Sequence, residues 1–165
     1  MTRVQAGLVL LLVAVVLLGL MWWGWRGRLR RQSGVAQLPE PPVDVGDVLL
    51  GPIEATYVSS TTAGQWLDRV AARELGLPSA AQVTVTSRGI SIVRQGATDV
   101  WIDAAALDGV RRQAGIAGKV VGGQGLVVLT WRLGSVSLDT GLRPRYSTDR
   151  DALAERAAEL AGSAA

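Results

Sequence analysis

The stretch QVTVTSRGISIVR, residues 82–94, decides the fold. Val83 and Val85 alternate with polar residues before the break at Ser87-Arg88-Gly89, and Ile90 and Ile92 alternate with Ser91 after it. Apolar side chains repeating every second residue define a half-buried strand. Two such runs around a short break with a glycine form a hairpin, and Gly89 is expected to take the positive φ of the turn. A lone hairpin is marginal in water, so further strands are needed to cover its apolar face.

Working outward, those strands are present. Residues 99–103 (DVWID) alternate again, residues 107–112 and 125–133 add two more, and residues 136–142 follow the last across Gly134-Ser135. On the other side, residues 49–59 hold Ile53, Tyr57 and Val58, with Pro52 expected at an edge or strand start. Between them, Thr62 and Gln65 have capping-box spacing, and Trp66, Leu67, Val70, Ala71 and Leu75 share a helical face ended by Gly76 and Pro78. A short inserted helix is expected there. The tail opens with Thr148-Asp149-Arg150-Asp151 and repeats Leu153, Ala157 and Leu160 at helical spacing, which predicts an amphipathic C-terminal helix. The predicted fold is mainly β: six to seven short strands in a strongly bent sheet or barrel, with this helix closing one open end.

Upstream, residues 6–25 (AGLVLLLVAVVLLGLMWWGW) carry no charge. As a helix rising about 1.5 Å per residue, the run is about 30 Å long, the thickness of a hydrocarbon core. It ends in Trp22, Trp23 and Trp25, followed by Arg26, Arg28, Arg30 and Arg31, an arrangement suited to a retained membrane interface. A cleaved signal peptide would instead end in small residues. Residues 1–31 are therefore expected to be a single-pass anchor. Only Arg3 precedes the run whereas four arginines follow it, and basic flanks stay cytoplasmic, so the C-terminal part is expected at the inner face of the cell membrane. Residues 32–47, with Pro39, Pro41 and Pro42, form a semi-rigid spacer or, alternatively, a ligand for a partner's aromatic groove. Residues 48–165 remain for the domain.

Charge placement excludes one class of partner. The formal net charge is +3, but five of the 17 basic residues flank the apolar run. From residue 32 onward, 12 basic residues face 14 acidic ones, a net −2, so the basic footprint of a nucleic-acid binder is missing. The chain has no cysteine and no histidine, which removes disulfides, thiolate nucleophiles, imidazole bases and most transition-metal sites. No catalytic, cofactor or metal site is expected.

The glycine motifs do not restore one. Around Gly118-Lys119, a phosphate loop would need glycine at 113 and Ser or Thr at 120, where Gln113 and Val120 stand. Gly122-Gly123-Gln124-Gly125 precedes a strand, whereas a dinucleotide site opens a helix. Both read as turns. Arg111, Arg112 and Lys119 near this loop suggest an anion-binding rim, although adjacent strand residues point to opposite faces. A pairing of Lys119, the only lysine, with Ser87 or Ser91 lacks a defining spacing. Trp66, Trp101 and Trp131 sit amid apolar periodicity and are expected in the core.

STTAGQWLDRV (60–70), GIAGKV (115–120) and LVVLTWRLG with LDTGLR (126–143) resemble a family of small actinobacterial membrane-anchored proteins with a pleckstrin-homology-like (PH-like) domain. Some of its members are labelled transporter or export protein. The resemblance implies a PH-like fold and no settled activity. PH-like domains elsewhere bind lipids or peptides or serve in assembly. The expectation is a non-enzymatic, membrane-tethered module that holds a protein partner. The alternative is a sensor of anionic lipid headgroups using Arg88, Arg112 and Lys119, which the charge of −2 disfavours. A more distant reading is an accessory subunit of an export system, and one uncharged span makes no transport route by itself.

Overall fold

The computed structural model describes residues 5, 11–22, 36–65, 67–70, 72–120 and 125–163, excepting the side chains of residues 119 and 120. The chain divides into two units, Met1–Gly34 and Val35–Ala165. In the first, residues 11–22 form helix α1, whose leucines and valines are exposed. Among the described residues no helix is long and apolar enough to cross a membrane. The rest of the predicted span 6–25, with Trp23 and Trp25, and the arginines Arg26, Arg28, Arg30 and Arg31 lie outside the described residues.

In the second unit the alternating hairpin forms as β2 (Ser79–Thr86) and β3 (Gly89–Arg94), with Val83 opposite Ile92 and Val85 opposite Ile90. All four are fully buried. Gly89 departs from its expected role. It is a strand residue outside the positive-φ set, and a Cβ there would strike the Ile102 carbonyl and approach the Trp101 ring to 2.6 Å. The glycine is required for close packing across the sheet.

The remaining strands are β1 (Val48–Thr62), β4 (Val100–Asp103), β5 (Leu107–Gln113), β6 (Gly115–Ile116), β7 (Lys119–Val120), β8 (Leu126–Leu133) and β9 (Val136–Pro144). Seven form one antiparallel sheet in the order β4-β3-β2-β1-β9-β8-β5 and the sheet is not closed. β1 is long enough to pair with β2 along its first part and β9 along its second. Pro52 falls where the β2 register is irregular and the β9 ladder has not begun, so its missing N–H interrupts no regular ladder. Val83, Ile92, Ile102, Leu129, Trp131, Leu138 and Leu142 meet in the main core. Helix α2 (Ser147–Ser163) lays Leu153, Ala157 and Leu160 against it, as its spacing predicts.

The short hairpin β6–β7 covers a second, smaller cluster of Val58, Ile116, Leu126 and Val128. Its tip, Ala117-Gly118, has positive φ at both residues, the geometry of a tight two-residue turn. Ile116 seats against Gly141, where an added Cβ would come within 2.7 Å of it. Gly122, Gly123 and Gln124 lie outside the described residues.

Among the described residues of 62–76 the predicted helix is absent. Thr62 is the last residue of β1, its hydroxyl donates to Asp68 at 2.9 Å, and only a three-residue 3-10 turn, Ala72–Glu74, follows. The backbone groups of this segment bond to the sheet instead. The Val70 N–H donates to the Ser60 carbonyl (3.0 Å), and the Leu75 carbonyl accepts from Ser60 N–H (2.7 Å). Buried side chains complete the anchorage. Tyr57 donates its hydroxyl to the Leu75 carbonyl at 3.0 Å. Arg94, 5% exposed, donates to the carbonyls of Glu74, Leu77 and Thr98 and to the Ser79 hydroxyl. Its guanidinium lies 3.9 Å from the Tyr57 ring centroid. Long-range bonds thus override a local helical pattern, and Leu67, assigned to the buried face, is 67% exposed. Trp66 and Ala71 lie outside the described residues.

Candidate interaction site

An open sheet has two edges, here β4 and β5. On an antiparallel edge, alternate residues turn their N–H and C=O away from the sheet, ready to pair with another extended chain. β5 is the longer of the two edges, at seven residues. It runs beside α2, and between them lies a groove of about 370 Å³ lined by Val110, Arg111, Arg112, Asp151, Ala154 and Glu155. Val110 and Ala154 are half-buried and pack against the main core, giving the groove an apolar floor. Arg112 reaches across it to Asp151 at 3.3 Å, and Glu155 is exposed on the helix wall. A groove with a strand edge on one side, apolar contacts below and charge at the rim suits an extended peptide better than a small apolar ligand.

Arg111 points to the other face, as strand alternation requires. Its guanidinium holds Asp139 in a two-pronged pair, 3.1 Å to Oδ1 and 2.7 Å to Oδ2. Thr130 donates to Oδ1 at 2.7 Å and the Gly64 N–H to Oδ2 at 3.0 Å. Asp139 is only 2% exposed. Burial pushes its carboxyl upward, but the Arg111, Thr130 and Gly64 hydrogen bonds together with the Arg111 charge outweigh it and hold the pKa below the ordinary value. Arg111 is thereby committed to a brace between β5, β8 and β9.

The other rim residues are dispersed. Arg88 sits in the β2–β3 turn and pairs with Asp44 at 3.4 Å. Arg112, on β5 at the far end of the sheet order, pairs with Asp151 of α2. The backbone of Lys119 pairs with Ile116, and its side chain lies outside the described residues. No described contact joins Arg88 to Arg112. Trp131 is fully buried in the core, its indole N–H donating to Thr140 at 2.8 Å. Trp101 is 3% exposed and lies on the opposite side of β4 from the core residues Val100 and Ile102. Ser87 accepts the Asp47 N–H at 3.0 Å.

Sequence reasoning placed Arg112 correctly on a face opposite to Arg111 but did not join it to α2. The available signal was the pairing of Ala154 and Asp151 with the margins of the Leu153-Ala157-Leu160 stripe. Those margins are where a helix meets a neighbouring strand.

An open seven-stranded antiparallel sheet with a C-terminal helix against its core is consistent with the PH-like plan of an interaction module. Residues 35–158 match the family described as Bacterial PH domain-like, and the chain belongs to that family. No curated protein matches it.

Proposed function

We propose that this protein is a non-enzymatic interaction module, tethered to the cell membrane by residues 6–25 with its PH-like domain on the cytoplasmic side, and that an extended segment of a protein partner docks along β5 beside α2. The open β5 edge with its groove carries the reading. Main-chain bonds to the edge would supply affinity, and the slot over Val110 and Ala154 would select every second side chain of the partner. Support for the tether comes from the charge-free run, the four arginines after it and the exposed apolar side chains of residues 11–22. The lipid alternative is weakened by the ion pairs that already engage Arg88 and Arg112.

A photo-reactive residue at 154 or 155, compared in cell membranes with one at Gln95 on another surface, tests the assignment. The expected result is a discrete protein adduct from 154 or 155 and none from 95. Adducts to lipid alone, or equal protein labelling from all three positions, would overturn it.

A further inference from the structure

The solvent face at the centre of the sheet carries a polar depression away from both edges. Its volume is about 510 Å³, and Glu54, Thr56, Gln82, Gln95, Arg143 and Arg145 line it. Strand register explains its shape. Thr56 lies opposite Ala80 of β2 on one side and Arg143 of β9 on the other, and the Gln95 N–H donates to the Ala80 carbonyl. The row Gln95, Ala80, Thr56, Arg143 therefore crosses three strand spacings, about 14 Å in all. Two small side chains stand in its middle and a long one at each end. In the neighbouring row Gln82 faces Glu54, and the backbone N–H of Arg145 donates to the Glu54 carbonyl.

The charges here are unevenly matched. Arg145 pairs with Glu54 at 2.7 Å. Arg111, Arg112 and Arg132, the exposed arginines of β5 and β8, likewise have carboxylate partners in Asp139, Asp151 and Asp108. Arg143 is exposed and has no acceptor among the described residues. The Thr56 hydroxyl and the carboxamides of Gln82 and Gln95 also make no hydrogen bond among the described residues. A guanidinium fork and several free donors thus border one hollow.

We propose that this depression binds a small polar monocarboxylate, whose carboxylate pairs with Arg143 and whose hydroxyl or amide groups meet Thr56, Gln82 and Gln95. The planar fork of arginine matches a carboxylate in a two-pronged pair. Two arginines against Glu54 leave one net positive charge in the lining, which a monoanion cancels. A phosphate monoester brings about −1.5 to −2 and would set its excess beside Glu54. The volume lies within the range of about 300–1,000 Å³ common to small-molecule sites. An added peptide strand is ruled out as occupant because β1 is paired to both β2 and β9 over residues 55–57, so no backbone edge is free and side chains alone must hold the ligand. This site is separate from the β5 edge and does not depend on it.

Titration calorimetry on the full-length chain in detergent tests the assignment. The probes are glucuronate and gluconate, both monocarboxylates, with uncharged glucose and dianionic glucose 6-phosphate for comparison. Saturable binding of at least one monocarboxylate is expected, at least about tenfold tighter than either comparison sugar. Arg143→Gln should weaken it at least about tenfold, and Arg143→Lys should recover only part of the loss. Thr56→Val should weaken it by a smaller factor. Because Arg143 and Thr56 are exposed, the urea midpoints of these variants should match the parent's, and Arg156→Gln, on the exposed side of α2, should leave binding unchanged. The proposal fails if neither monocarboxylate binds, if glucose 6-phosphate binds as tightly as they do, if binding survives Arg143→Gln, or if Arg156→Gln weakens it equally.

Discussion

Arg94 is the buried cation on which the ordering of residues 63–78 should depend, and replacing it with methionine isolates that role. Methionine keeps the length and apolar stem but removes four donated hydrogen bonds and the contact over Tyr57. Burial lowers the arginine's pKa, and the neighbouring Tyr57, Glu74 and Asp99 oppose that shift. The guanidinium nevertheless keeps its charge, as arginine does throughout proteins. A hydrogen bond from a charged group contributes about 1.5–3 kcal/mol. The four do not simply add, because Glu74, Leu77 and Thr98 belong to exposed residues and their carbonyls can regain water, and because the buried cation's own desolvation cost disappears. The expected net loss is about 3 kcal/mol in urea denaturation, with a melting temperature lower by about 10 °C. Lysine at 94 would retain the charge but not the planar fork that reaches separated acceptors, so Arg94→Lys should recover only part of the loss. Tryptic cleavage at the exposed Arg73 gives a local readout. If the loop opens without global unfolding, a loss of about 3 kcal/mol raises the open population by about 150-fold. A methionine variant within about 0.5 kcal/mol of the parent protein would refute the reasoning, as would unchanged cleavage at Arg73 with the rest of the domain destabilised.

Leu153 is fully buried and Leu160 is 4% exposed against the main core, so Leu153→Ala should cost about 2–5 kcal/mol and Leu160→Ala an amount toward the lower end; unchanged urea midpoints would show that α2 is not packed as described. Asp139 should contribute to acid sensitivity: its folded pKa is lowered, so the folded state binds fewer protons, and its stabilisation is full above about pH 5 and lost as pH falls through about 4 toward the folded value. Asp139→Asn should therefore be less stable at neutral pH and show a flatter decline of the urea midpoint below about pH 5, whereas an acid limb identical to the parent's would remove Asp139 from the account.

The parts of the fold legible in the sequence are those in which neighbouring residues carry the instruction. Val83, Val85, Ile90 and Ile92 alternate because the strand pleat alternates, and Leu153, Ala157 and Leu160 repeat because a helix returns to the same face. The misleading parts are those in which distant groups decide. Val70 and Leu75 have helical spacing and are indeed buried, yet their backbone groups bond to Ser60, and Leu75 also accepts from Tyr57. A helix would have to surrender those bonds and leave the Arg94 donors without Glu74 and Leu77. Similarly, Gly89 looks like a turn residue when only residues 82–94 are considered, and its true constraint is the ring of Trp101 on the next strand. The β5 groove shares this origin. It joins an edge strand to the C-terminal helix α2, about 40 residues further along the chain. No single period can encode such a meeting, because it depends on the sheet order, which leaves β5 at one end of an open seven-stranded sheet with α2 packed beside it.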